Sequence, residues 1–469
     1  MDKISCFIVL ICFCVNVSLE LEPQNVTFVI ISQNNAYNDR LSKKLQSSLK
    51  EQADRLQLSG YKIYISNKHF NVPGEWTIVP LADPILSSIK HYPMQWVVFL
   101  EDYSVVDLKL LMKVLKKYNH NKDIWIGHAL YDAEAVIIHH FEFRENPESF
   151  KYPNLASGFA MSLPLLEKVR MNAKNESKKP QHPRDFHIDP AHELALFILD
   201  DGTGAKLRHN SLFCAKKDER DSCAIYPKEF EPCGEADIST MYFAIKTCRY
   251  FYKDRIDVVK KTYYKYTEKS GFFSDHEDKD IPTIDVGIPN VDRGHCAKMM
   301  AILQLSLKKF QNDTKLEWLI LVDDDTILSV SRIAGLLSCH NSSEPMILGE
   351  RYGYGKRGMD YPTGGAGTLI NRSALEILAY GCHCAWPSAP DDMMLGACAE
   401  EYDITIVHVP QMHQARPNDY APGRLATNDA ITFHKHWNNR PVEIYNQWFL
   451  KDDQKLSKHH GKFNLKDEL

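Results

Sequence analysis

The chain has 469 residues, a formal net charge of −5 and 12 cysteines. That length supports two or three domains with real cores. The mildly acidic balance argues against broad electrostatic binding to nucleic acid.

In chain order, Lys3 precedes an apolar stretch from Ile4 to about Leu19. This is the pattern of a secretory signal peptide, and it is short for a membrane span. No later segment is apolar enough to cross a bilayer. Cys6, Cys12 and Cys14 fall in the leader, leaving nine cysteines. An oxidising lumen pairs most of them, and the odd number leaves at least one unpaired. Cys382-His383-Cys384 does not have the spacing of a structural zinc site, so disulfides are expected there. Sequons begin at Asn25, Asn175, Asn312, Asn341 and Asn371; each must be on the surface to carry a glycan.

The next elements occur twice. Thr27–Leu41 parallels Tyr242–Ile256, and Gln95–Ser104 parallels Glu317–Thr326. Tyr152–Val169 parallels Tyr361–Leu378, and Pro190–Leu194 parallels Pro390–Met394. Four matches in one order predict tandem α/β domains at 21–225 and 236–451. A 1–20 leader precedes them, a Pro- and Gly-bearing linker at 226–235 joins them, and a polar, flexible tail at 452–469 follows. The copies differ at polar positions. Tyr103 stands where the second copy has Asp325, and Ala191-His192 where it has Asp391-Asp392. Packing is kept where chemistry is lost, so the first copy is expected to be degenerate, a scaffold or an acceptor platform.

In the second copy, strands are predicted at Met241–Ile245, Trp318–Val322, Ile347–Leu348 and Ile404–Val409, and helices at Arg255–Tyr264, Cys296–Phe310, Ser331–Leu337 and Arg372–Tyr380. Their alternation implies a mainly parallel, doubly wound sheet. The apolar run Trp318–Val322 ends in Asp323, Asp324 and Asp325. A buried strand tolerates no unpaired charge, so the acids sit at its exit, where open α/β sheets bind ligands. Three carboxylates there suit a divalent cation, which would hold a phosphate-bearing substrate. Calcium loops and surface acids look similar.

Thr247 and Arg255 follow the first strand, with Arg255 at a helix start. Gly364-Gly365-Ala366-Gly367 permits close approach of backbone to a ligand. Asp391 and Asp392 open a helix, where capping is the ordinary use of acids. The first copy lacks both and keeps the helix, so a second use as general base is open. In a strand, His434 and His436 share a face and offer an imidazole to the acids. His413–Pro417 reads as a rim loop.

The segments Phe243–Ile256, Trp318–Leu328, Tyr361–Ile370, Pro390–Gly396 and Phe433–Trp437, in that order, resemble the Fringe-like β-1,3-glycosyltransferase family. The resemblance implies tandem GT-A-like (Rossmann-like) domains, a UDP-sugar donor and Mn²⁺. It implies metal contact by Asp325 and His434 with Asp323, and support of metal, ribose or sugar by Asp323 and Asp324. Thr247, Arg255 and Asp275 would line the nucleotide pocket, and Gly364 and Gly365 would pass the donor sugar. Asp392 would be the general base, with Asp391 the lesser candidate.

The tandem layout, the His413–Tyr420 segment and the ending Lys466-Asp467-Glu468-Leu469 are similar to one branch of that family. That branch implies UDP-glucose as donor and O-linked fucose on folded thrombospondin type 1 repeats as acceptor. The ending is an address read by the KDEL receptor, which with the leader implies a soluble protein of the endoplasmic reticulum lumen. The alternatives are another UDP-sugar transferase and a lumenal calcium-binding lectin or folding factor.

Overall fold

Uninterrupted apolar runs make the central strands, as expected where both faces of a sheet are covered. Along Val26–Ile31 every residue is buried, and Trp318–Asp323 is buried up to its final acid. The computed structural model describes residues 25–58, 60–70, 72–175, 186–218, 222–235, 237–341, 343–355, 358–436 and 438–459. The expected leader, Trp437 and the Lys466–Leu469 ending lie outside them.

The first half supplies β1 (Val26–Ile31), β2 (Lys62–Ile65), β3 (Trp96–Glu101), β4 (Ser104–Val106), β5 (Trp125–Gly127), β6 (Phe159–Ser162), β7 (Arg208–His209) and β8 (Ile225–Pro227). Six form a sheet in the order β2-β1-β3-β6-β5-β7, while β4 and β8 form an antiparallel ribbon. The second half supplies β9 (Met241–Lys246), β10 (Ser270–Ser274), β11 (Thr283–Asp285), β12 (Trp318–Asp323), β13 (Thr326–Leu328), β14 (Met346–Gly349), β15 (Thr368–Asn371), β16 (Thr405–His408) and β17 (Thr432–His434). Its sheet runs β11-β10-β9-β12-β15-β14-β16, with β13 and β17 as the ribbon. In each sheet one strand, β6 or β15, is antiparallel to both neighbours, and the other pairings are parallel.

Alternate residues feed opposite cores. Met241, Phe243 and Ile245 enter one core of the second sheet, and Tyr242 and Ala244 the other. Val29 and Ile31 enter one core of the first, and Val26, Phe28 and Ile30 the other. The halves are clamped together. Gln33 donates from Nε2 to His408 O at 3.0 Å and accepts from His408 N at 2.7 Å. Trp76 Nε1 donates to Asp360 at 3.0 Å.

The helices that position the site are α1 (Ala36–Arg55), α2 (Pro190–Leu199), α3 (Cys296–Asn312), α4 (Val330–Leu337), α5 (Arg372–Gly381) and α6 (Asp391–Glu401). The helix expected over Arg255–Tyr264 is broken. A π turn at Tyr252–Ile256 leads into a short α-helix at Asp257–Lys261, and a 3₁₀ turn follows at Tyr263–Tyr266. Thr262 leaves helical geometry at the break, with its hydroxyl donating back to Val258 O at 2.7 Å; such back-bonding bends helices.

The tail expected to be flexible from Asp452 begins as helix, Leu450–His459. Asp453 is fully buried and accepts from Ser329 Oγ, Ser331 N and Tyr445 OH at 2.7–2.9 Å. A polar residue reads as solvated until its distant partners are known.

Among the described residues four disulfides pair Cys214–Cys223, Cys233–Cys339, Cys296–Cys384 and Cys382–Cys398, and Cys248 is free and buried. Cys233 lies in the expected linker, so that stretch is strapped to the second half. Its start, Tyr226-Pro227, belongs to β8. Asn371 is fully buried as the N-cap of α5 and Asn25 is 8% exposed, so neither sequon meets the surface condition for a glycan. Among the described residues no helix is long and apolar enough to cross a membrane.

Candidate active site

β9 and β12 run parallel with Lys246 opposite Asp323, which places a cation and an acid side by side where both strands end. Lys246 Nζ lies 2.9 Å from Asp323 and 2.6 Å from Asp391 at the start of α6. Burial disfavours its charge, but the two carboxylates outweigh that and raise its pKa. Against burial, Lys246 holds the Asp391 carboxyl below its usual range.

Asp392 has no such partner. Burial and the Asp391 charge push it up to about 6, while the N–H groups of Met393 and Gly364 temper the shift. Met393 N donates to its Oδ1 at 2.8 Å. Of the two acids, Asp391 is committed to a lysine and Asp392 is poised in the range suited to accepting a proton.

The β13–β17 ribbon pairs Thr326 with His434 and so delivers the imidazole beside Asp325. His434 Nε2 is 3.1 Å from Asp325 Oδ1 and 3.9 Å from Asp323 Oδ2. Its Nδ1 lies 3.1 Å from Gln414 O. With Nδ1–H donated to that carbonyl, the Nε2 lone pair faces two carboxylates, an arrangement suited to a shared cation. Ligand atoms of Asp323, Asp325 and His434 lie within 4.8 Å of one another. This oxygen- and imidazole-donor set fits a divalent ion such as Mn²⁺.

His436 does not share the strand face. Lys435 has φ of +75°, which ends β17 at His434.

Asp324 turns the other way. It accepts from Thr247 Oγ1 at 2.6 Å and from Arg255 Nη1 at 2.8 Å, and burial holds it up at about 6 against that arginine. Arg255 Nη1 also lies 3.1 Å from Asp325 Oδ2, and the guanidinium stacks 3.7 Å from the centroid of the Phe251 ring. Despite burial, His434 and Arg255 keep Asp325 well below the usual carboxylate range.

The glycine loop closes this side. A Cβ on Gly365 would overlap the His434 ring. Thr326 Oγ1 donates to Gly365 O at 2.9 Å, and Ala366 N donates to Gln414 Oε1 at 3.0 Å.

Asp323, Asp324, Asp325, Thr247, Arg255, Gly364, Gly365, Asp391, Asp392 and His434 are thus drawn to one end of the sheet. Asp275 directly follows β10, the strand beside β9, at that same end, and accepts from Arg249 N and Ser274 Oγ at 3.1 Å each. Sequence reasoning missed Lys246 and left Gln414 without a role. Lys246 had a signal, an ionisable residue at the exit of an apolar strand.

The Fringe-like family pattern matches residues 34–194 and 236–463. A beta-1,3-glucosyltransferase from Homo sapiens is 39% identical over 96% of this chain and 90% of its own length. One from Mus musculus is 38% identical over 96% and 91%. The beta-1,3-N-acetylglucosaminyltransferase manic fringe from Danio rerio is 22% identical over 55% of this chain and 77% of its own. A solved glycosyltransferase involved in glycosylation of the major capsid of PBCV-1 covers 46% of this chain and 98% of its own at 13% identity, with a TM-score of 0.28.

Proposed function

We propose, for a chain that belongs to the Fringe-like family and is a β-1,3-glycosyltransferase, transfer of glucose from UDP-glucose to the 3-hydroxyl of O-linked fucose on folded thrombospondin type 1 repeats. Glucose as the donor sugar is supported by the names of the human and mouse relatives. The acceptor is supported by the tandem layout and the His413–Tyr420 segment. We take 21–225 and 236–451 as two GT-A-like units, the first degenerate and serving as acceptor platform. The four disulfides suit an oxidising lumen, and retrieval to the endoplasmic reticulum by the KDEL receptor belongs to the same proposal.

The reaction is a single inverting displacement. Asp392 accepts the proton of the fucose 3-hydroxyl, and that oxygen forms a bond to the anomeric carbon of glucose. The bond from that carbon to UDP breaks on the opposite face, and its electron pair leaves with the diphosphate. An α-linked donor then gives a β-1,3 product. Lys246 fixes Asp391 and so leaves Asp392 as the available base. Arg255 and Thr247 orient Asp324, and Gln414 holds the His434 ring. A divalent ion held by Asp323, Asp325 and His434 supplies, when bound, Lewis-acid neutralisation of diphosphate charge.

The observation that carries this reading is the lysine bridge. Lys246 joins the acid cluster to the start of α6, and the next residue is a half-buried carboxyl free to take a proton. The purified chain, incubated with Mn²⁺ and an O-fucosylated repeat, should transfer from UDP-glucose in preference to UDP-galactose and UDP-N-acetylglucosamine. Asp392→Asn should abolish transfer and keep UDP-glucose binding. No transfer from any donor, with folded protein and a competent acceptor, overturns the reading.

A further inference from the structure

Glu350 directly follows β14. Both β12 and β14 run antiparallel to β15, so Glu350 leaves the sheet at the end where Asp323 leaves β12. Its carboxyl accepts from Gln414 N at 2.5 Å. Its backbone is fixed as well, because Glu350 O accepts from Thr363 N at 2.9 Å, at the residue before the glycine loop.

Gln414 is the hub on which His434 rests. Its carbonyl lies 3.1 Å from His434 Nδ1, and its Oε1 accepts from Ala366 N at 3.0 Å. The next residue repeats the docking. Ala415 O accepts from His434 N at 3.2 Å, and Ala415 N donates to Tyr420 OH at 3.1 Å. Residues 413–416 lie outside helix and strand. No ladder fixes where their carbonyls point, so hydrogen bonds from other segments must do so. Glu350 supplies the acidic one. Burial pushes its carboxyl up to about 8. The neutral and ionised forms both present an acceptor, so the anchor holds in either.

The first half has none of this. The pairing of Gly349 with His408 has its match in Gly127 with His209, and the bridge from Met412 to Thr432 in that from Phe213 to Ile225. By that register His128 stands in place of Glu350 and Ala215 in place of Gln414. His128 Nδ1 lies 2.9 Å from Phe213 O instead. Pro227 stands in place of His434. Anchor, hub and imidazole are missing together.

We propose that Glu350 is a positioning residue for the cation site: by fixing Gln414 it aims His434 Nε2 at the ion shared with Asp323 and Asp325. Partners one shell out from a metal orient its ligands, and losing one typically weakens binding about 10–100-fold. The inference rests on the proposed cation site, and it is independent of which donor sugar or acceptor is used.

Mn²⁺ titration and pulsed EPR of the full chain with Mn²⁺ and UDP test it, because a coordinated imidazole imprints nitrogen hyperfine modulation on the manganese signal. Glu350→Ala should weaken Mn²⁺ binding about 10–100-fold and diminish that modulation. Glu350→Gln keeps an acceptor for Gln414 N and should match wild type in both readings. Asn371→Ala removes a buried framework acceptor outside the site and should leave both unchanged. If Glu350→Ala fails to fold, Glu350→Met, near in size and without the carboxyl, decides by the same readings. Wild-type affinity and modulation in the folded variant overturn the inference and leave the cation site standing. So does an equal loss in Asn371→Ala, which would mean that stability alone is being read, or in Glu350→Gln. A wild type that binds no Mn²⁺, or binds it without nitrogen modulation, overturns the cation site and this inference with it.

Discussion

β12 of the second sheet leads into Asp323, Asp324 and Asp325, and β3 of the first into Glu101, Asp102 and Tyr103, on the same order of six strands, to which the second sheet adds β11 at its edge. The differences come in matched pairs. Lys246 bridges Asp323 to Asp391; the corresponding residues in the first half are Ile31 and Ala191, so cation and acid are absent together. His434 needs Gly365 beside it, because a Cβ would overlap its ring; Pro227 and Ala156 hold those places. Arg255 pairs with Asp324 and Asp325, whereas Asp102 is satisfied by Ser32 and Asn38 at 2.8–2.9 Å and the corresponding Arg40 is exposed. Residues that exist for one another's sake are replaced as a unit, since either alone leaves an unpaired charge or a clash. The strands beneath remain, because packing makes separate demands.

The strongest way to break this comparison is to remove the proposed base. Asp392→Asn should lower kcat by about 10²–10⁴-fold with UDP-glucose affinity intact, read by donor titration and single-turnover transfer. A mutant that keeps activity would return both halves to the same standing. Gly365→Ala comes next. By displacing His434 it should weaken Mn²⁺ affinity about 10–100-fold, measured by isothermal titration, while Ala156→Gly in the first half leaves Mn²⁺ affinity unchanged.

A pH series sharpens the same contrast. Asp392 must be ionised to accept a proton, so kcat/KM should fall by about tenfold per unit below pH ~6 and level off above it. Stability runs the other way. A folded-state pKa of about 6 against 3.8 means the native chain binds this proton more tightly. The contribution favours the fold in acid and is lost as pH rises through about 6. Asp392→Asn should therefore raise the melting temperature at pH 7.5 by about 2–4 °C, a gain in stability with a loss of function.

Much of this was legible in the sequence because burial leaves few options. A charged triplet can end a buried apolar strand only at its exit, so Asp323–Asp325 declared their position. The repeated segments announced two sheets of one order. Other features depended on distant partners. The role of Lys246 rests on Asp391, 145 residues away, and that of Gln414 on His434. Strand direction is not encoded in alternation, so nothing marked β15 as antiparallel. Asp453 read as part of a solvated tail because Ser329 and Tyr445, which bury it, come from other elements. The break at Thr262 turns on one hydroxyl finding a backbone carbonyl.

The smallest effect tests whether framework polar groups persist where those of the proposed site do not. Asn371 caps α5 by accepting from Ala374 N at 3.0 Å, and it also accepts from Met346 N at 3.1 Å at the edge of β14. The corresponding residue is Ser162, fully buried, whose Oγ accepts from Ile124 N at 3.0 Å just before β5 and donates to Lys122 O at 2.7 Å. The two side chains do one job, pinning the start of a neighbouring strand. Asn371→Ser keeps an acceptor for that task and caps helices well, so it should cost under about 1 kcal/mol. Asn371→Ala strands the buried Met346 N–H and should cost about 1–3 kcal/mol, read by denaturant unfolding. Equal losses from Ser and Ala would mean that the shared hydrogen bond contributes little, and that the resemblance of the two frameworks rests on apolar packing alone.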